Sequence, residues 1–247
     1  MKIRVQESVL ALLILASLST GIAHAQTSSS GSVARTVIYA PQNRPDVRGT
    51  QGAVSAGQPL AAQAGLRVLQ EGGTATDAII AMAGVLAVVR PHMNGVGGDA
   101  FGIFYDGATG EISAINGSGR SGALATPEFF RDQGHDQVPG SGVLSISVPG
   151  AVAAWADAHA RFGTMPFAKL LEPAIRLASE GFPVSTRLAQ DIESQSGSLN
   201  NAGRALYLPG GSAPPVGSLL KNEGLSTTLR QIAQGGKEAY YRGPVAE

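Results

Sequence analysis

Along the fifteen residues from Ala75 to Val89 there is almost no polar face. Ile79, Ile80, Met82, Ala83, Val85, Leu86, Val88 and Val89 place apolar side chains all round a helix. A surface helix of a water-soluble domain keeps one polar side, so a helix apolar on every side must be covered on every side. The run is too short to cross a bilayer. The chain is therefore expected to wrap it between other layers, with more than two layers or a deep sandwich.

The segment after this helix narrows the reading further. Arg90-Pro-His-Met-Asn-Gly-Val-Gly-Gly-Asp-Ala-Phe-Gly-Ile-Phe-Tyr105 ends the helix, turns through Gly95, Gly97 and Gly98 and runs into a strand. Glycine-rich phosphate loops run the other way, from strand into helix, because bare N–H groups point outward at a helix N-terminus. The three glycines read poorly as a nucleotide cradle. They read better as a bend that lets another segment or a substrate come close.

The chain opens with Lys2 and Arg4, an apolar run from Val9 to Leu18, and Ala23-His24-Ala25. That order of basic start, apolar core and small-x-small site is an export signal, despite Glu7 between the first two parts. Residues 1–25 are expected to be removed, and the mature protein to be periplasmic or secreted with no stable membrane anchor. Residues 26–50 read as a Ser/Gly tether followed by an irregular arm around Pro41 and Pro45. The domain proper is expected over 51–247. Lys plus Arg and Asp plus Glu are 18 each, which argues against nucleic acid as a partner. With no cysteine, thiol catalysis and cysteine metal sites are excluded.

Coarse elements come from pattern. Gly52 to Ala56 suits a buried strand. Pro59 opens a helix with Ala62, Leu66 and Leu69 on one stripe, stopped by Gly72-Gly73. Phe101 to Tyr105 and Glu111 to Asn116 read as a hairpin around Asp106 to Gly110. Helices are predicted over Ala151 to Phe162, Phe167 to Glu180 with Pro173 inside, Thr186 to Ile192 capped by Ser185, and Leu225 to Ala233 with a last turn at Glu238 to Tyr241. Gln195 to Gly217 reads as irregular. The predicted sheet, holding Ala53 to Ser55, Phe101 to Tyr105 and Ile112 to Ile115, packs over Ala75 to Val89. The ending at Gly243-Pro244-Val245-Ala246-Glu247 completes no element and reads as an interruption.

Few side chains present themselves for chemistry. His92, His135 and His159 show no metal-ligand spacing, and a structural reading is favoured for each. Ser147 precedes a helix but lacks the first glycine of a nucleophile elbow, so Pro149 and Gly150 are more simply a helix start. Arg120 sits in the loop Asn116-Gly-Ser-Gly-Arg-Ser-Gly122 at a strand end. A guanidinium there suits a bidentate grip on a carboxylate, and equally a solvated loop.

Several segments together resemble the N-terminal half of the γ-glutamyltransferases. They are Gly52 to Ala56, Glu71-Gly-Gly-Thr-Ala-Thr-Asp-Ala78, Pro91 to Gly98, Ser147-Val-Pro-Gly-Ala-Val-Ala153, Phe162-Gly-Thr-Met165, Ala174 to Phe182 and Ala239-Tyr-Tyr-Arg-Gly243. The matches come in the family's order and span most of Gln51 to Glu247.

The resemblance implies an α/β (α+β) fold, the four-layer αββα sandwich of the N-terminal nucleophile hydrolases, here its large-subunit part only. It implies a proenzyme that cuts itself, the new N-terminal threonine of the small subunit being the nucleophile. The donor is then glutathione or another γ-glutamyl compound, the acceptor water or an amino acid, and no cofactor is needed. No catalytic residue falls in these residues: Thr227-Thr228 is the one threonine pair, followed by Leu229 inside a predicted helix. Typical members carry Asp-x-Arg-Glu after the second strand, the arginine binding the α-carboxylate. Here Arg120 falls two positions late, and it is the one substrate-binding residue the resemblance offers. The shift leaves a cephalosporin-type acylase as an alternative. A non-catalytic fragment or pseudoenzyme is a third reading.

Overall fold

Residues 47–247 are described by the computed structural model; the expected export signal and most of the tether and arm lie outside the described residues. Helix α1 (Pro59–Gln70) starts at Pro59, and Gly72, at φ 88°, makes the turn that leads into α2 (Ala75–Val89). Thr74 caps α2: its hydroxyl accepts from the Asp77 N–H at 3.1 Å while the Asp77 carboxylate accepts from the Thr74 N–H at 2.9 Å.

The cover over α2 is mostly helical. Helix α1 lies along it through Ala61, Ala64, Gly65 and Val68, and a side chain at Gly65 would collide with Met82. The predicted stripe of Ala62, Leu66 and Leu69 is a correction, since Leu66 is exposed and the small residues face the core. Two backbones can approach closely only where side chains are short, so the buried face is the less apolar-looking one. Helix α5 (Phe167–Glu180) covers another side with Leu170, Leu171, Ala174 and Ala178 all buried, Leu171 and Ala174 lying nearest Gly84. Gly181, at φ 97°, ends it.

The hairpin is as predicted. β1 (Ala100–Tyr105) pairs antiparallel with β2 (Ile112–Gly117), Ala100 opposite Gly117 and Tyr105 opposite Ile112. It lies over the Ile79–Ala83 side of α2 across a gap of about 100 Å³, with Trp155 and Ala158 of α4 (Ala151–Phe162) closing the end. Gly52 to Ala56 forms no ladder, so the three-part sheet is a correction; the sheet is two-stranded. A strand needs a neighbour to donate to, and none of the described segments reaches that run. Ile79 of α2 is correspondingly 51% exposed.

Past β2 comes α3 (Pro127–Asp132), capped by Thr126, an element the sequence pattern does not reveal. After α5, β3 (Phe182–Pro183) pairs with β4 (Leu219–Leu220), and α6 (Thr186–Gln195) is capped by Ser185 as predicted. The stretch expected to be irregular contains α7 (Asn201–Tyr207), its Asn200 cap accepting from the Gly203 N–H at 2.8 Å. Helix α8 (Glu223–Tyr241) breaks at Gly236, φ 59° and ψ −151°, matching the predicted stop and last turn. Two apolar cores flank α2, one with α1, α5 and α6, the other with α4, α5 and α8.

Candidate functional site

The glycine turn after α2 forms the floor of an open cleft of about 670 Å³, bounded by Pro91 to Gly95, Gly97 to Phe101, Ala83 and Trp155. Another segment does come close to the turn, at the Gly98 carbonyl, but the places where only glycine fits lie elsewhere. An added Cβ at Gly97 would meet nothing, and at Gly98 nothing nearer than the Gly95 carbonyl at 3.6 Å. The crowding lies at Gly119, φ 79°, and Gly150, where a Cβ would run into the Val148 and Gly117 carbonyls respectively. These glycines let the 117–120 loop cross the 147–150 segment.

That crossing is tied by hydrogen bonds. The Val148 N–H donates to the Arg120 carbonyl at 2.8 Å, and the Ser147 hydroxyl donates to the Ser118 carbonyl at 3.3 Å. The Gly150 and Ala151 N–H groups both donate to the Gly98 carbonyl, at 2.9 and 3.0 Å. Helix α4 has no side-chain cap of its own, so the glycine turn caps it. The loop bearing Arg120, the start of α4 and the cleft floor are thereby one connected unit.

Within that unit Arg120 is exposed, and its guanidinium has no acceptor among the described residues. Ser147 lies outside any helix or strand before α4, and its hydroxyl is bonded to the Ser118 carbonyl rather than to any His, Asp, Glu or Lys among the described residues. Thr227 and Thr228 lie inside α8, the Thr228 hydroxyl donating back to the Gly224 carbonyl at 3.1 Å. The cleft lining has a histidine, an asparagine and an aspartate, but no serine, threonine or lysine among the described residues.

The histidines have partners that the sequence does not show. His92 Nε2 lies 2.9 Å from Asp191 on α6, and burial, outweighing the attraction of Asp191, holds its pKa below the ordinary range. Asp191 also accepts from Arg187 Nε on both oxygens at 2.9 Å, which with His92 holds its carboxyl low. His159 lies 2.7 Å from the Met165 carbonyl and packs edge-on against Phe167. Among the described residues His135 makes no side-chain ion pair, and no group of His, Asp and Glu suits a metal ion.

Asp77, in sequence merely one residue of the first turn of α2, is fully buried. Besides Thr74, its carboxylate accepts from the Thr164 N–H at 3.1 Å, the Thr164 hydroxyl at 3.0 Å and the Met165 N–H at 3.3 Å. Burial pushes this carboxyl up, but the donors from Thr74, Thr164 and Met165 together hold it below its ordinary value. The segments Glu71 to Ala78 and Phe162 to Met165 are thus knotted at one carboxylate.

The chain is similar to known proteins in sequence and in fold. The sequence profile of the family described as Gamma-glutamyltranspeptidase matches residues 61–247. The chain is 34% identical over 204 residues to the glutathione hydrolase proenzyme of Bacillus subtilis (strain 168), covering 81% of this chain and 35% of that protein. Its fold matches the crystal structure of Helicobacter pylori γ-glutamyltranspeptidase with a TM-score of 0.77 at 31% identity, over 82% of this chain and 59% of that one. It matches the cephalosporin acylase of Bacillus halodurans with a TM-score of 0.72 at 37% identity, over 85% and 42%. The chain spans a little over a third of the length of the curated relatives it matches. The fold is that of the N-terminal nucleophile hydrolases, as the resemblance implied, and the chain belongs to the γ-glutamyltranspeptidase family.

Proposed function

We propose that these residues are the large-subunit side of an exported γ-glutamyltransferase or glutathione hydrolase precursor. In this reading the γ-glutamyl group passes to water or an amino acid through an N-terminal threonine outside these residues. The observation that carries it is the outer face of the hairpin. Phe101, Ile103, Tyr105 and Ile112 are 65, 81, 69 and 70% exposed, side by side in register, next to a cleft whose lining has no nucleophile among the described residues. An apolar sheet face with free edges calls for a further layer. A second segment that covers this face and brings a threonine to the cleft completes both the sandwich and the site.

Within the site, Arg120 grips the donor's α-carboxylate so that the γ-carbonyl meets the threonine. The threonine's own α-amine takes the hydroxyl proton, the hydroxyl attacks the amide carbon, and the amine leaves protonated. Residues 1–25 direct export, and 26–50 act as tether and arm. The acylase reading draws on the displaced Arg120 and on the likeness to the cephalosporin acylase. Steady-state kinetics of the processed enzyme on a γ-glutamyl anilide and a glutaryl anilide separate the two. Arg120→Ala should lower kcat/KM for the γ-glutamyl substrate by about 2–5 kcal/mol of transition-state binding. Lysine should rescue only part of this, because a point charge does not make two parallel hydrogen bonds. Equal kinetics in wild type and R120A, with preference for the glutaryl substrate, would establish the acylase reading instead.

A further inference from the structure

Tyr240 and Tyr241 end α8, and the chemistry assigned to the site uses neither. Their rings meet edge to face, centroids 4.8 Å apart at 85°. Adjacent residues of a helix point about 100° apart, so two neighbours can reach two different segments. The Tyr240 hydroxyl donates to the Val96 carbonyl at 2.7 Å, in the glycine turn. The Tyr241 hydroxyl donates to the Pro149 carbonyl at 2.6 Å and accepts from the Ala153 N–H at 3.1 Å.

These contacts fall where α4 most needs them. The opening N–H groups of a helix have no partner within it. The Gly98 carbonyl takes those of Gly150 and Ala151, and Tyr241 takes that of Ala153. The break at Gly236 lets the last turn of α8 leave its axis, and Lys237 anchors that turn to Asp157 of α4 at 2.7 Å. One residue before Pro149, Val148 donates to the Arg120 carbonyl.

We propose that Tyr240 and Tyr241 are positioning residues that hold the glycine turn and the start of α4 in register, and through Val148 set the loop that carries Arg120. Tyr241 fixes Pro149 directly, Pro149 fixes Val148 through the chain, and Val148 fixes the backbone of Arg120. Tyr240 keeps the cleft floor from shifting against that unit. The catalytic consequence rests on the reading of Arg120 as the carboxylate grip; the mechanical consequence does not.

The test uses the processed enzyme with Tyr241→Phe, Tyr240→Phe and Arg120→Ala. Phenylalanine keeps the ring and its packing and removes only the hydroxyl. Amide hydrogen exchange is read at Val148 and Ala153, and kinetics on a γ-glutamyl anilide and on the matching 4-aminobutyryl anilide, which lacks the α-carboxylate. Y241F should speed exchange at both amides and raise KM for the γ-glutamyl anilide roughly fivefold, the worth of one hydrogen bond, with kcat little changed. Turnover of the 4-aminobutyryl anilide should be untouched. Y240F should raise the same KM and leave Ala153 exchange as in wild type. Unchanged exchange in Y241F, or equal loss on both substrates, would overturn the proposal. If R120A itself fails to discriminate the two anilides, the Arg120 reading falls, and the exchange data still decide whether the tyrosines hold the loop.

Discussion

Asp77 carries more of the fold than any other single polar side chain among the described residues. Donors from both the α1–α2 turn and the α4–α5 turn converge on it, and it has no solvent to fall back on. Replacing it by alanine leaves several part-buried N–H groups without their acceptor and empties a fully buried position, and we expect a loss of about 3 kcal/mol in the processed enzyme, measured by urea unfolding. Asparagine keeps the shape and one acceptor oxygen but turns an N–H₂ toward other donors, so it should recover less than half of that. The pH dependence has a definite sign. The folded carboxyl sits below its unfolded value of about 3.9, so the unfolded chain binds more protons between the two. Its contribution is therefore complete above about pH 5 and is lost as pH falls through the folded pKa. The unfolding midpoint of the wild type should fall with acid in that window, and the D77A variant should lack that component.

At the scale of elements, local signals are legible in the sequence and partner-dependent ones are not. The all-apolar run at Ala75 to Val89, Pro59 at a helix start, Ser185 as a cap and the glycine stops at 181 and 236 each act within one turn of chain, and all are found. Gly52 to Ala56 has strand composition, but a ladder needs a neighbour, and none is present among the described residues. The buried face of α1 is hidden from a periodicity reading because Ala61, Ala64 and Gly65 count as weakly apolar, whereas close packing in the core with α2, Gly65 against Met82, selects them. In the site, Arg120 and the glycine turn are visible as residues. The crossing that joins them, the Tyr240–Tyr241 contacts and the Asp77 knot link positions tens of residues apart, as with Thr164, 87 positions from Asp77. Periodicity cannot show such links. The hairpin face gives an element-scale prediction. Ile103 is 81% exposed, so Ile103→Lys should change the stability of this part by less than about 0.5 kcal/mol. In the precursor proposed above the same charge would be buried against the covering layer, and size-exclusion chromatography should show failed assembly. Normal assembly of that variant would mean that nothing packs there.

For the whole molecule, the described residues amount to a helical layer and a hairpin beside a cleft whose lining holds no serine, threonine or lysine among them. Purified residues 26–247 should self-associate through the uncovered sheet face, a tendency that light scattering would read and that I103K should reduce. The central claim is that the site is completed by a second segment bearing the threonine. Its most direct measurement is hydrolysis of a γ-glutamyl anilide by purified residues 26–247, beside the full-length gene product after processing. Turnover is expected from the processed full-length protein, and none above the buffer rate from residues 26–247. Turnover by residues 26–247 alone would contradict the claim, because the nucleophile would then lie within that segment.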